Sequence, residues 1–368
     1  MTTWPDGSRR LKHWHTPMST TVKNPALAWI SARHLQHMMA RGEAAGLAMN
    51  ELLEAAGLNR TSLADADGLI PVTAIESMLA ALARRHGDPL IGLHLASDIQ
   101  PATFGAIGYI CQACSTFGDV LDVVTRYNGL LSNIGTTSMA FHPGTVELRW
   151  QCSTGSAEFR RQATSYVLGA FVVLARLLLP EEKNLLKAVH FTQARPDDAR
   201  QVREYFSFFR SPVYFGKAQD AVLIPASALQ AKMHHGDAFI KDLLERHALA
   251  LLQQREQPLS LTDSVRQLLG AMIIDGVPGK AVIAQQLGTS TRSLHRRLQE
   301  AGSGYQHILD QVRLEMACAR LGESTDSIHA IAEQLGFSSH QSFLRWFRQQ
   351  AGSTPGAYRK TGKTRHEH

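Results

Sequence analysis

The 368-residue sequence predicts a multidomain protein, in which an α+β domain is followed by an all-α domain with two helix-turn-helix units. Two observations lead to this prediction. One helical pattern occurs twice near the C-terminus, as IAQQLGTSTRSLHRRLQEAG and as IAEQLGFSSHQSFLRWFRQQAG. Upstream, segments with helical periodicity are mixed with short segments in which apolar and polar residues alternate, as is typical of strands.

The composition is that of a soluble globular protein. Hydrophobic residues make up 44% and charged residues 19% of a chain that is long enough for two or three domains. The longest apolar run, VLGAFVVLARLLL, is too short to cross a bilayer and contains Arg176, so we expect no membrane segment. Residues 1–23 are polar and lack the apolar region of a secretion signal, and we expect them to be disordered.

Charge and cysteine content narrow the cellular setting. Four cysteines in so long a chain do not form a disulfide framework, which favours a reducing cytoplasm. The formal net charge is +6, and most of the basic excess lies in residues 261–368. Such a charge permits a polyanionic partner without requiring one. We therefore expect a cytoplasmic protein, associated with the nucleoid if that partner is DNA.

Residues 24–235 are predicted to form the α+β domain. Early helices run through LAWISARHLQHMMARG and NELLEAAGL, and Pro71 opens a further helix. Alternation in TTSMAFH and TVELRWQ, around Pro143 and Gly144, predicts a β-hairpin. A long and mostly buried helix, EFRRQATSYVLGAFVVLARLLL, follows the hairpin, and three later segments resemble short strands: KAVHFTQ, PVYFG and AVLIP.

Residues 236–263 are predicted to form a helix and a linker between the two domains. Asp237 is a suitable N-cap, and Pro258 with its polar neighbours marks the linker. The helix has one apolar stripe, which consists of Phe239, Ile240, Leu243, Leu244, His247 and Leu251. Two interpretations of this stripe stay open: packing against its own domain, which is slightly favoured, and formation of a dimer seam.

Each repeated unit has the plan of two helices joined by a tight turn. Corresponding apolar residues form a face of the first helix: Ile283, Ala284 and Leu287, and then Ile331, Ala332 and Leu335. Gly288 and Gly336 follow, where glycine adopts the left-handed conformation at low cost. A serine then caps the second helix: Ser290 in the first unit and Ser338 or Ser339 in the second. Apolar residues four apart predict packing onto the first helix: Leu294 with Leu298, and Phe343 with Phe347.

The opposite face of each second helix is predicted to be exposed and to bind DNA. The candidate residues are Thr291, Arg292, His295 and Arg296 in the first unit, and Ser339, His340, Gln341, Leu344 and Arg345 in the second. In a major groove, arginine pairs with guanine, glutamine pairs with adenine, and leucine contacts the thymine methyl group. A single unit would be equally consistent with a solvated helix face, and the tandem repeat is what favours DNA binding.

Residues 305–321, YQHILDQVRLEMACARL, are predicted to form one amphipathic helix between the units. Such a helix is about 25 Å long at 1.5 Å per residue. A rigid spacer of that length holds two recognition helices near one DNA turn apart, which is roughly 34 Å. The sequence therefore predicts that both units enter successive major grooves of promoter DNA.

Residues 264–360 resemble the DNA-binding domain of the AraC/XylS family of bacterial transcription regulators. The resemblance is carried by the leading helix SVRQLLGAMI, both units, the spacer helix and the closing segment GSTPGAYRK. It implies an all-α DNA-binding domain, a flexible tail at 361–368, and RNA polymerase as a partner in activation. We also predict a homodimer that assembles through the N-terminal half, with the apolar stripe of residues 236–263 as the candidate seam.

The N-terminal half is similar to the ligand-sensing domain of one subgroup of this family, often called the arabinose-binding-like domain. The similarity rests on DGLIP, GDPLIGLHLA, FGAIGYICQACSTFGDVLDVVTRY and VYFGKAQDAVLIPASAL. It implies an α+β N-terminal sensing domain that binds a small organic effector, although effectors vary within the subgroup. Arg160 and Arg161 are candidate effector-binding residues for a carboxylate, and surface positions are the alternative.

Enzyme chemistry is the competing class of function. A DNA-directed enzyme of the alkyltransferase-sensor type joins a related DNA reader to a four-cysteine metal centre. The cysteines here are Cys111, Cys114, Cys152 and Cys318, and the last of them lies in the spacer helix. The pair in CQAC lacks a second pair with which to bind zinc. We therefore expect no metal site, no cofactor and no catalytic residue.

Overall fold

The computed structural model describes residues 28–364, apart from 45, 59, 64, 67, 257–259, 274–275 and 324–325. These residues form an α+β domain followed by an all-α domain, which confirms the predicted fold class. The prediction of disorder for residues 1–23 lies outside the described residues. Residues 361–364 of the predicted tail instead continue the last helix to Thr364, and residues 365–368 lie outside the described residues.

Among the described residues, no helix combines the length and the apolar character that crossing a membrane requires.

The N-terminal domain opens with a small sheet and a set of helices. Strand β1 (Trp29–Ser31) pairs antiparallel with β2 (Leu69–Pro71). The helices of this part are α1 (Ala32–Ala44), α2 (Met49–Ala55), α3 (Val72–His86), α4 (Ile91–Leu95), α5 (Ala106–Ala113) and α6 (Phe117–Tyr127). Thr116 caps α6 by accepting a hydrogen bond from the amide of Asp119, whose carboxylate accepts one from the amide of Thr116 in return.

A five-stranded sheet follows, with the strand order β3-β4-β7-β5-β6. Its strands are β3 (Gly135–His142), β4 (Thr145–Cys152), β5 (Ala188–His190), β6 (Val213–Tyr214) and β7 (Ala221–Pro225). Strands β3 and β4 form the predicted hairpin around Pro143 and Gly144, and they are paired from His142–Thr145 to Gly135–Cys152. Only the β5–β6 pair is parallel among the paired strands.

Two longer helices complete the α+β core. Helix α7 (Ala157–Leu178) packs against α4 and β4, and most of its length is buried, as predicted. Helix α8 (Ala199–Phe209) buries Tyr205 and Phe209. The rings of both residues lie against Phe191, with the Tyr205 ring 5.1 Å and the Phe209 ring 5.8 Å from it between centroids.

Helix α9 (Ala238–Glu256) divides the predicted apolar stripe between two environments. Asp237 caps the helix as predicted, because its carboxylate accepts hydrogen bonds from the amides of Phe239 and Ile240. Leu244 and Leu251 pack against the N-terminal core beside the buried Ala248 and Leu252. The remaining apolar members point to solvent: Phe239 is 73%, Ile240 45% and Leu243 51% exposed. One part of the stripe is therefore core, and the other is an open apolar surface.

In the C-terminal domain, the described residues form seven α-helices and two hydrophobic cores. Its helices are α10 (Leu261–Met272), α11 (Lys280–Gln286), α12 (Thr291–Glu300), α13 (Tyr305–Glu323), α14 (Ile328–Gln334), α15 (His340–Ala351) and α16 (Pro355–Thr364). The first core joins α10, the first unit and the N-terminal half of α13. The second core joins the C-terminal half of α13, the second unit and α16. The spacer helix is thus shared by both cores.

The turn of the second unit is closely packed against neighbouring residues. Gly288 and Gly336 both have positive φ angles, of 63° and 72°, as predicted. A Cβ atom at Gly288 would meet nothing within 4 Å, whereas one at Gly336 would lie 2.2 Å from Cγ2 of Val277. Val277 packs against the first core, so Gly336 lets the second turn approach the first unit closely.

We expect Gly336→Ala to destabilise the protein by about 2–4 kcal/mol, from the left-handed backbone and the overlap with Val277. Gly288→Ala is the matched control, because it has the same kind of backbone but open surroundings, and it should cost about 1–2 kcal/mol. Urea denaturation of both variants measures the difference. Equal losses would mean that Val277 moves aside without cost.

Candidate nucleic-acid interface and effector cavity

The second helix of each unit is oriented by a buried pair on one face. Ser290 and Ser339 cap α12 and α15 by accepting hydrogen bonds from the amides of Ser293 and Ser342, each at 3.1 Å. Of the two serines considered for the second cap, Ser339 is therefore the one used. The apolar pairs Leu294 with Leu298 and Phe343 with Phe347 are fully buried. The opposite faces consequently point outward.

The outward face of α12 is exposed and basic. Thr291, Arg292, His295 and Arg296 are all exposed. Arg296 forms an ion pair with Glu300, whose Oε1 lies 3.0 Å from its Nη1. Lys280 at the start of α11 lies with its Nζ 3.4 Å from Nδ1 of His295, so a further positive charge borders this face.

The outward face of α15 differs in its burial. Gln341 and Arg345 are exposed, whereas His340 and Leu344 are half-buried. The His340 ring lies 6.1 Å from the ring of His329 on α14, and its Nδ1 is buried without a hydrogen bond among the described residues. Ser339 uses its hydroxyl oxygen as the helix cap. The side chains most available to a ligand on this face are therefore Gln341 and Arg345.

Polar contacts from α13 hold the second unit in place. Nε of Arg313 donates to the carbonyl oxygen of Leu335 at 3.0 Å, and its guanidinium lies 4.5 Å from the centre of the Phe337 ring. Nε1 of Trp346 on α15 donates to Oδ1 of Asp310 at 3.0 Å. These contacts provide a hydrogen-bond donor for the carbonyl group at the end of α14 and fix the rotation of α15. The outward face of α15 therefore has a defined direction.

The N-terminal domain contains an apolar cavity of about 80 Å³ between α1, α3, α4, α7 and strand β4. It is lined by Ile30, His34, Met38, Ile75, Leu79, Gly92, Leu95, Phe104, Asn128, Leu131, Ser132, Ile134, Trp150, Gln162, Ala163, Tyr166, Val167, Ala170 and Phe171. None of these lining residues is Asp, Glu, Lys or Arg. Its position between helices and strands, and its apolar lining, make it the candidate effector site.

His34 and Tyr166 form the polar end of this cavity. Nδ1 of His34 and the hydroxyl of Tyr166 are hydrogen-bonded at 2.9 Å. Burial, with a smaller contribution from nearby His37, lowers the pKa of His34 from 6.5 to about 4. Burial also raises the pKa of the Tyr166 hydroxyl above its usual range. Both groups are therefore neutral at physiological pH.

Neither residue of this pair is among the residues that the sequence predicts to be functional. His34 lies one turn before Met38 on α1, and Tyr166 interrupts an apolar stretch of α7. A polar residue within an apolar stripe is a weak signal, because packed core histidines and tyrosines show the same pattern. Only the three-dimensional contact between α1 and α7 brings the two rings together.

Arg160 and Arg161 lie outside this cavity. Nη1 of Arg160 donates to the carbonyl oxygen of Gly155 at 2.5 Å, and Arg161 makes two hydrogen bonds to the carboxylate of Glu158, at 2.9 and 2.6 Å. Both arginines line a separate polar groove of about 530 Å³, together with Gln193 and Asp220. They are at the N-terminal end of α7, whereas the cavity-lining residues occupy the following turns of the same helix.

The cysteines do not form a centre among the described residues. Cys111 and Cys114 are buried, and burial raises the pKa of the Cys114 thiol to about 12. Cys152 and Cys318 lie in different domains. The part of the chain that the structure describes contains no group of three His, Cys, Asp or Glu residues suited to a metal ion.

Two outward-facing basic helices on one spacer define a DNA-binding regulator with a separate sensing domain. Residues 46–233 match the family described as the arabinose-binding domain of AraC transcription regulators, N-terminal, and residues 283–361 match a helix-turn-helix domain. The first match alone covers half of the chain. The protein therefore belongs to the AraC family of transcription regulators.

Known relatives agree with this assignment. The chain is 26% identical over 318 residues to the ornithine utilization regulator of Pseudomonas aeruginosa, covering 86% of this chain and 91% of that relative. It is 22% identical over 280 residues to the transcriptional regulator VqsM of Pseudomonas aeruginosa, covering 73% and 83%. The crystal structure of the transcriptional regulator CdpR from Pseudomonas aeruginosa has 24% identity and a TM-score of 0.42, covering 82% and 96%. The first two of these relatives are transcription regulators by name, and they give no support to the enzyme alternative.

The lowered pKa of His34 has a measurable consequence for stability. Because the unfolded chain binds a proton that the folded chain does not, stability falls as the pH falls from the unfolded value of 6.5 towards about 4. Between pH 7.5 and pH 5 this loss is about 2 kcal/mol. We expect His34→Gln to remove that loss, as measured by urea denaturation at both pH values.

His94→Gln is the control with the opposite sign. His94 donates a hydrogen bond to the carboxylate of Asp88, and this bond, supported by the carboxylate of Glu204, raises the pKa of His94. Its contribution to stability is therefore present at low pH and is lost as the pH rises through the folded-state pKa. This variant should lose more stability at pH 5 than at pH 7.5. The assignment of His34 as a neutral, enclosed imidazole would be wrong if its removal left the pH dependence unchanged.

Proposed function

We propose that this AraC-family protein is an effector-responsive transcription activator, whose two helix-turn-helix units read successive major grooves of promoter DNA. The observation that carries the proposal is the attachment of both recognition helices to one continuous spacer helix. With 19 residues, α13 is about 28 Å long, which is close to the repeat of roughly 34 Å between successive major grooves. RNA polymerase is the proposed partner in activation, at promoters in the cytoplasmic nucleoid.

The proposed base contacts centre on one arginine in each unit. Arg296 and Arg345 occupy corresponding positions, face solvent, and suit the O6 and N7 acceptors of guanine. Gln341 and Leu344 are proposed to contact adenine and a thymine methyl group. Thr291, Arg292 and His295 complete the first face, and Ser339 and His340 lie at the start of the second, where helix termini approach phosphate groups.

We expect Arg345→Ala and Arg296→Ala each to weaken DNA binding by about 1–3 kcal/mol and to relax preference at one position of the site. The measurement is binding to single-base variants of sites that genome-wide mapping shows to be occupied. Uniform losses across all variants, with a shallower dependence on salt, would mean that the arginine contacts phosphate and that base reading is wrong.

Glu300→Gln distinguishes the two arginines. The Arg296–Glu300 pair is solvent-exposed, and such pairs contribute only about 0.3–0.5 kcal/mol along a helix. Removing the carboxylate frees Arg296 and deletes a negative charge near the DNA, so we expect tighter binding without loss of stability. Arg345 has no ion pair among the described residues, and its effect on binding should not change in the Glu300→Gln background.

A homodimer is proposed to form through the open apolar surface of the N-terminal domain. This surface consists of Phe239, Ile240 and Leu243 on α9, together with Tyr109 and Leu177, which are 51% and 45% exposed. Tyr109, Leu177 and Ile240 line one groove. Exposed apolar patches of this kind mark association surfaces, and a second copy of the chain is the proposed occupant.

We expect Phe239→Glu with Leu243→Glu to give a monomer that still binds one DNA half-site, because each chain carries two helix-turn-helix units. Leu244 and Leu251, the other leucines of the stripe, are unsuitable for this test because they pack against the core. Leu249→Glu is the control, since Leu249 is 42% exposed but lies on a different side of α9. Sedimentation at micromolar concentration measures the result, and a monomeric unmodified protein would contradict the proposed dimer.

The cavity beside His34 and Tyr166 is the proposed effector site. Its lining is contributed by several elements of the sensing domain, so a bound molecule contacts α1, α4 and α7 at once. The polar groove at Arg160 and Arg161 is the second candidate, for an effector with a carboxylate. The name of the ornithine utilization regulator connects that relative with an amino acid, which is the kind of molecule that such a groove would suit.

A further inference from the structure

We propose that the cavity of the N-terminal domain selects a small, uncharged and mainly hydrocarbon molecule, which places a single hydrogen-bonding group against His34 and Tyr166. This inference rests on the proposed role of the cavity as the effector site, and it names the chemical class of the effector. It follows from the charge, the remaining hydrogen-bonding capacity and the size of the cavity.

The charge of the lining excludes ionic ligands. Neither an acidic nor a basic side chain lines the cavity. A carboxylate or ammonium group placed there would lose its hydration without gaining a counter-ion, and this loss is very unfavourable in an apolar environment. His34 does not supply a positive charge, because its imidazole is neutral at physiological pH. An amino acid, with two charges, is therefore a poor ligand for this cavity.

The two amide side chains of the lining, Gln162 and Asn128, already have protein partners. Oε1 of Gln162 accepts from the amide of Gly92 at 2.9 Å, and its Nε2 donates to the carbonyl oxygen of Pro89 at 2.9 Å and to Glu158 at 2.8 Å. Nδ2 of Asn128 donates to the carbonyl oxygen of Gly135 at 3.1 Å. These side chains support the wall of the cavity and have little capacity left for a ligand.

The His34–Tyr166 pair keeps capacity for one ligand group. Their mutual hydrogen bond is the only one that either side chain makes among the described residues. If the hydroxyl donates to Nδ1, then Nε2–H remains a donor and the hydroxyl oxygen an acceptor. If Nδ1–H donates, the hydroxyl remains a donor and Nε2 an acceptor. In either tautomer the pair offers one donor and one acceptor, which match a hydroxyl, carbonyl or amide group.

The size of the cavity limits the hydrocarbon part. Its volume of about 80 Å³ is roughly half that of an engineered 150 Å³ cavity that binds benzene. A compact ligand of a few carbon atoms fits directly, and a somewhat larger one fits if the lining adjusts. Met38 is part of the lining, and methionine is the apolar side chain that adapts its shape most readily.

The test compares three probes of the same shape and different charge: cyclohexanol, cyclohexanecarboxylate and cyclohexylammonium. Binding to the full-length protein is measured by titration calorimetry and by the shift in Tm. We expect cyclohexanol to bind at least tenfold more tightly than either charged probe. Charged probes that bind as well as cyclohexanol, or the absence of binding by both cyclohexanol and the smaller 2-propanol, would overturn the proposed ligand class.

Two tyrosine variants locate the binding site. Tyr166→Phe removes the hydroxyl at the cavity, and we expect it to weaken cyclohexanol binding about fivefold to tenfold. Tyr205→Phe is the control, because the Tyr205 hydroxyl also makes a hydrogen bond inside the domain, to Ser165 at 2.8 Å, but Tyr205 is fully buried and does not line the cavity. Methylcyclohexane, which lacks a hydrogen-bonding group, should bind the unmodified protein and Tyr166→Phe equally well. Equal effects of the two variants on cyclohexanol would overturn the assignment.

A third variant separates the cavity from the polar groove. Arg160→Ala with Arg161→Ala should leave cyclohexanol binding unchanged, and loss of that binding would overturn the proposed location. DNA affinity is measured on the same samples with and without probe. Cyclohexanol binding that follows the expected pattern without any change in DNA affinity would support the ligand class and refute the effector role. Preference for charged probes, by a protein that binds DNA normally, would refute the proposed ligand class. The assignment of the protein as a regulator would then remain intact.

Discussion

The geometry of the two DNA readers depends on one constraint, which is that α13 belongs to two hydrophobic cores. Ile308 and Val312 lie in the first core, and Ala317 and Leu321 lie in the second. Burying one large apolar side chain contributes about 1.5–3 kcal/mol, whereas a good base contact discriminates by about 1–3 kcal/mol. Each core buries several such side chains. The free energy gained from DNA contacts is therefore too small to offset the free energy lost by exposing a core. The spacing of the readers is therefore set by the protein before DNA is bound.

The hydrophobic cores determine where the helices lie, and polar contacts determine how the helices are rotated about their axes. A hydrophobic core tolerates small rotations of a helix. Such rotations are opposed by the hydrogen bond from Trp346 to Asp310 and by the contacts of Arg313 with the turn of the second unit. Gly336 allows these contacts, because its lack of a side chain brings the turn against Val277. The arginines that are proposed to read bases are thus carried by helices whose rotation is restrained, and this reduces the entropy lost on binding.

The sensing domain differs from the DNA-binding domain, because its core contains a cavity. A cavity of about 80 Å³ costs roughly 2 kcal/mol relative to a core in which side chains occupy that volume, at about 24 cal/mol per Å³. A ligand that fills it recovers this free energy and adds contacts among α1, α4 and α7. Binding would therefore stabilise the arrangement in which these helices enclose the cavity. This is a physical route by which an effector alters the domain without any charged contact.

Local patterns in the sequence were sufficient for the helix-turn-helix units, the hairpin and the cap of α9. The reason is that a capping serine, a left-handed glycine and the spacing of buried leucines act within a few residues of one another. The outward direction of Arg296 and Arg345 follows from the same spacing. What only the tertiary structure decided is which element covers each face. Arg160 lies in the polar groove and Tyr166 in the cavity, although both lie on α7. The stripe on α9 likewise divides into core and open surface, because periodicity defines a shared face but does not specify the partner that packs against it.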